Sequence, residues 1–336
     1  MRLTPEKSDL VAFVHSHMDK TLSATAEGTT PKITDYLLML SGLYVEACFL
    51  FEKPDETMDA GFSKIADMLR AQPYNGSISS WTLPHSQHID QTSEQGRALS
   101  RFVLDEWQEC EFSYFDFVLW VLQSYLTIWE NENIPREESL RLFMEFSTRC
   151  MAYEISAQEL CDLVIETKIS NKEWSLADGV CGLSAYAGHS FGHCTDESAQ
   201  CFFVDADEQF QTIMSVMTQE ASRMGVPAGS SWHLGMAAND CPADPPTELI
   251  EGIKPMCDSF FKALSIMTVE EQAVACAKAA GRMLAVVATG DTPDMPHDIA
   301  KPLAMAALIE SYRGLRAMYP SVTSDIDAFS SNIFSD

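Results

Sequence analysis

The chain predicts an all-α fold, a multi-helical bundle of about ten or eleven mostly antiparallel helices with little or no sheet. Three observations lead there. Apolar residues recur at three- and four-residue spacing in segment after segment. Prolines, acidic first turns and capping residues fall between those segments. No convincing run of alternating polarity occurs, the best strand candidate being the very short Cys201–Val204, CFFV.

In order, a first helix starts at Pro5 behind Thr4 and carries Leu10, Phe13, Val14 and Met18 on one face. Pro31 precedes a second, Ile33 to Glu52, whose stripe from Tyr36 to Phe51 is wide enough for a bundle centre. Pro54 breaks it, Asp55 offers a cap, and a third helix runs to Ala71. Residues Pro73 to Gln91 read as a long loop containing His85 and His88. A helical pattern dense in aromatics spans Thr92 to about Glu132, with a jog near Glu111 to Ser113. Pro135 and two glutamates open a helix to Met151, and Ser156 with Glu159 fits a capping box opening Leu160 to Ile169. Asp205 to Gly225 has a cap, a stripe and a glycine stop; Val226 to Pro246 is a second irregular stretch. Helices over Thr247–Met267, Thr268–Ala288 and about Ile299–Tyr319 complete the chain. The reading is one large helical domain over 1–336, with a subdivision into 1–155 and 175–320 as the alternative, its seam between Ile155 and Trp174.

At 46% hydrophobic the chain can bury a core, and 22 basic against 49 acidic residues leave a net charge of −27. That field repels phosphate backbones and anionic headgroups, so neither direct nucleic-acid binding nor membrane binding is expected. The apolar run Phe112–Trp129 is interrupted by polar residues and reads as a core helix rather than a span. Of ten cysteines, Cys48, Cys110, Cys150, Cys161, Cys257 and Cys276 sit singly in helical patterns, with no CxxC pair. A reducing, cytoplasmic setting follows, and no apolar leader is evident at the N-terminus. No cofactor is expected: Walker A and GxGxxG motifs are absent.

The unusual stretch is Asp178–Cys194, DGVCGLSAYAGHSFGHC, with four glycines, two cysteines and two histidines. As a helix begun near Ser175, its small residues Gly182, Ala185, Gly188 and Gly192 would let a second helix approach closely. Close packing is the plainer explanation for glycines that each cost about 1 kcal/mol against alanine in a helix interior. Two chemical readings compete with it. His189 and His193, four apart, project from one face as a metal pair requires, with Cys181 and Cys194 as further thiols that helical geometry points elsewhere. Alternatively, Asp178-Gly179 forms a turn, Cys181 lies in a helix's first turn as a nucleophile, and His233 and Asp240 serve as base and orienter. Gly179 to Ser184, GVCGLS, resembles the nucleophile segment of papain-like bacterial effector proteases. Those folds seat their histidine on a strand, which this chain does not predict, so membership is not expected.

The leading functional expectation is therefore an acidic helical protein that binds a macromolecular partner, a protein of basic character, through its long loops or an acidic helix face. A thiol- or metal-dependent enzyme centred on Cys181, His189 and His193 with His233 is the alternative. Phosphate mimicry, inhibiting a nucleic-acid-binding protein, is a further one.

Overall fold

In the computed structural model the described residues are 5–25, 31–50, 54–70, 86–106, 114–197, 206–227, 244–263, 268–289 and 294–317. Among them are eleven α-helices and no strand, so the chain is all-α. It divides into two compact units, Met1–Met151 and Ala152–Asp336.

The first unit holds α1 (Pro5–Thr25), α2 (Ile33–Cys48), α3 (Pro54–Arg70), α4 (Ser86–Glu106), α5 (Tyr114–Asn131) and the start of α6 (Arg136–Val164). Its centre is α2, buried without interruption from Leu37 to Val45 and packed by α1, α3, α4 and α5. Two reciprocal glycines bring α4 onto it: a Cβ at Gly42 would run into the Ser93 carbonyl, and one at Gly96 into that of Met39. Such backbone-to-backbone approach is possible only where neither helix carries a side chain. Tyr44, fully buried, donates to the Met58 carbonyl at 3.0 Å and stacks on Phe62, which ties α3 to α2. On α1, His15 hydrogen-bonds Ser124 at 2.7 Å and stacks on Tyr125, and Tyr36 donates to Asp19 at 2.8 Å.

Several boundaries depart from the sequence reading. Pro54 does not break a helix but begins α3, where its missing N–H costs nothing. Ser86 to Gln91 are the start of α4, so His88 is helical. The aromatic pattern after Thr92 is two helices, α4 and α5. The expected capping box at Ser156 is not formed, because α6 runs through it and the hydroxyl donates back to the Ala152 carbonyl at 2.5 Å. The strand candidate Cys201–Val204 lies outside the described residues.

The second unit takes the rest of α6, a single π-helical turn Ile165–Ile169, and α7 (Leu176–Glu197), α8 (Ala206–Arg223), α9 (Pro246–Ala263), α10 (Val269–Ala288) and α11 (His297–Ala317). Here α7 is central, packed by α9, α10 and α11. Its glycines face different neighbours. A Cβ at Gly188 would strike the Leu308 carbonyl of α11, and one at Gly182 would lie 2.8 Å from the Trp174 ring. Gly252 of α9 approaches the same ring, so Trp174 is seated between two glycines, with Lys168 over its face at 5.8 Å. The glycine stop at α8 is formed as expected: Gly225 has φ +96 and Val226 donates to Ala221.

Candidate functional site

Ser175 caps α7. Its hydroxyl accepts from the Asp178 N–H at 3.1 Å, while the Asp178 carboxylate accepts from the Ser175 N–H at 2.8 Å, its hydroxyl at 2.6 Å and the Asp244 N–H at 2.8 Å. Asp178 and Gly179 therefore belong to the helix rather than to a turn before it. Cys181 is correspondingly the sixth residue of α7, past the orphan N–H groups of the first turn, which removes the helix-terminal activation expected for it. It is buried, with Sγ 4.0 Å from the Leu303 carbonyl on α11. His233 and Asp240 lie outside the described residues, as does the side chain of Cys194.

His189 and His193 do meet. One turn apart on α7, their Nε2 atoms are 3.3 Å apart and their rings nearly perpendicular. His189 is half-buried and His193 exposed. Tyr186 from the same face, and Lys254 and Asp258 from α9, join them. Tyr186 donates to Asp258 at 2.8 Å, Lys254 pairs with that carboxylate at 2.9 Å, and the ammonium lies over the Tyr186 ring at 6.0 Å. Burial, then the neighbouring His193 and Lys254, holds His189 down to about 4 against the pull of Asp258. Burial raises Tyr186, so its hydroxyl stays a donor. Asp258 is held below its ordinary value because the hydrogen bonds from Lys254 and Tyr186 outweigh its desolvation. The cluster thus presents two facing imidazoles, that of His189 held neutral by its surroundings, beside a carboxylate whose oxygens each already accept a hydrogen bond. Among the described residues no set of three His, Cys, Asp or Glu converges as a metal site.

A second cluster escaped the sequence reading altogether. Glu154 of α6 and Glu220 of α8, each 2% exposed, face Lys278 and Arg282 of α10 and Arg223 of α8. Lys278 meets Glu154 at 2.6 Å; Arg282 spans Glu154 and Glu220, both at 2.6 Å, and reaches Gln158 at 2.8 Å. Gly281 permits this, since a Cβ there would hit the Met217 carbonyl and hold α10 away from α8. Burial and Glu154 push the Glu220 carboxyl up, but Lys278 and Arg223 pull harder and keep it below its ordinary value. Every carboxylate here is hydrogen-bonded by a cation, the condition under which buried charge is tolerated. The available signal was a Lys–Arg pair four apart in an alanine-rich helix, which by itself reads as a solvated edge.

The chain matches no family model, no curated protein and no solved structure. In the first unit the outstanding surface feature is an aromatic pair, Phe13 of α1 and Phe102 of α4, stacked at 5.9 Å although 40% and 54% exposed. His17 lies against Phe13 at 6.0 Å, and Asp9, one turn before it, is exposed.

Proposed function

We propose that the protein acts by binding a protein partner of basic character, with Phe13 and Phe102 as the apolar anchor of the contact. The carrying observation is the exposure of two stacked phenylalanines on helices whose opposite faces are core. Burying what remains exposed of both rings against a partner would contribute about 1.5–3 kcal/mol, and aromatic anchors of this kind dominate interface energetics. A chain of net charge −27 supplies long-range attraction to a cationic surface and speeds encounter with it.

A photo-reactive benzoylphenylalanine placed at position 102, and in a control at exposed Ile128 of α5, tests the reading in cells. The expected outcome is one discrete adduct from position 102, absent from 128, suppressed when Phe13→Ser is added and weakened by salt. Adducts equal at the two positions, or untouched by Phe13→Ser, would refute it.

A further inference from the structure

We propose that His189 and His193 form a two-nitrogen chelate for a divalent first-row transition metal ion, Cu(II) binding most tightly. The site is independent of the aromatic pair on the first unit. Two nitrogens held at metal–nitrogen distances of about 2.0–2.1 Å are separated by roughly 3.3–3.4 Å on adjacent tetrahedral positions and by roughly 2.8–3.0 Å on adjacent positions of the square-planar geometry Cu(II) prefers, a closure of a few tenths of an ångström that small side-chain rotations supply. The observed Nε2···Nε2 separation is 3.3 Å. Both rings are on consecutive turns of one α-helix, so the bite is set by the backbone and little reorganisation is needed to close it. His193 is exposed, which leaves the outer positions to water or an exogenous ligand. Imidazole donors favour Cu, Ni and Zn over Mg or Ca, and the Irving–Williams order places Cu(II) first.

The surroundings fit a two-ligand site rather than a closed one. Asp258 is the adjacent carboxylate, but Tyr186 and Lys254 occupy its oxygens, at 2.8 Å and 2.9 Å. The same pairing offsets part of the repulsion that the Lys254 ammonium exerts on an incoming cation. A direct N–H···N hydrogen bond between the two imidazoles accounts for the same distance without a metal, and the experiment separates the two.

Full-length protein stripped with chelator is titrated with Ni(II) by calorimetry and with Cu(II) followed by electron paramagnetic resonance. The expected result is one equivalent bound, with nitrogen hyperfine structure from two imidazoles. His193→Gln, at an exposed position, retains the circular dichroism of the wild type yet weakens binding by roughly tenfold or more, since even outer-sphere changes cost that much. Equal affinity in wild type and His193→Gln, or a Cu(II) spectrum lacking nitrogen coupling, overturns the site. So does loss of binding in Cys194→Ser with none in His193→Gln, which would assign the metal to a thiol.

Discussion

Gly188 decides how closely α7 and α11 can pack. Alanine is worth about 1 kcal/mol more than glycine in a helix interior, so propensity alone favours Gly188→Ala. The methyl, however, meets the Leu308 carbonyl, which is backbone and cannot rotate away. Overpacking of this type costs about 1–3 kcal/mol, so the substitution is expected to lower stability in chemical denaturation, and a gain would show that α11 yields. Reactivity is governed at the same scale. Burial pushes the Cys48 and Cys161 thiols up to about 12, so neither is expected to be alkylated by iodoacetamide at pH 8 in the native protein, whereas both react in denaturant; peptide mapping reads this directly. The sequence made the histidine pair legible because spacing of four residues on a helix is a local property. It could not show Tyr186, Lys254 and Asp258 around them, since no periodicity tells which face of α9 meets α7. Cys181 had two placements open for a related reason: its surroundings turned on whether Asp178-Gly179 lay before or within the helix, and the cap is Ser175, the start that the packing reading used.

Between elements, the buried charges of α6, α8 and α10 matter most. Glu220→Gln keeps the shape but leaves Lys278, Arg282 and Arg223 facing one carboxylate instead of two. Breaking such a buried set costs about 3–5 kcal/mol, so a large drop in denaturation midpoint is expected. A change under about 1 kcal/mol would mean that water reaches the cluster and screens it, as at exposed pairs. The pH sign follows from the depressed carboxyl. The Glu220 contribution is complete above its ordinary value of 4.5 and is lost as pH falls through the lower folded value. In the first unit, burial depresses His15 where it joins Ser124 and Tyr125, with Asp19 opposing. Its neutral form is favoured above 6.5, so the packing of α1 weakens as pH drops below that, and the protection factors of α1 amides, that is their exchange rates corrected for the intrinsic pH dependence, should fall from pH 7 to pH 5. Helix identities were largely readable because apolar period and proline punctuation act locally. The break at Ser156 was not, because serine within an apolar stretch can cap a helix or bond back to the preceding turn, and tertiary packing on both sides chose the second.

At the scale of the whole molecule, two kinds of electrostatics coexist, and salt distinguishes them. The net charge of −27 imposes self-repulsion that acts over long distances through solvent. Raising ionic strength from about 0.01 M to about 0.15 M shortens the screening length from about 30 Å to about 8 Å and removes much of it. The carboxylates of Glu154 and Glu220 are 2% exposed and their cations at most 15%, so mobile ions have little access and the attraction is nearly unaffected. The melting temperature of the wild type is therefore expected to rise over that range, while the difference between wild type and Glu220→Gln stays constant. Differential scanning calorimetry at pH 7 measures both quantities. A melting temperature that falls with salt would mean that exposed ion pairs such as Lys254–Asp258, at 2.9 Å, contribute more than the repulsion opposes. A gap that narrows with salt would instead place the buried cations within reach of solvent.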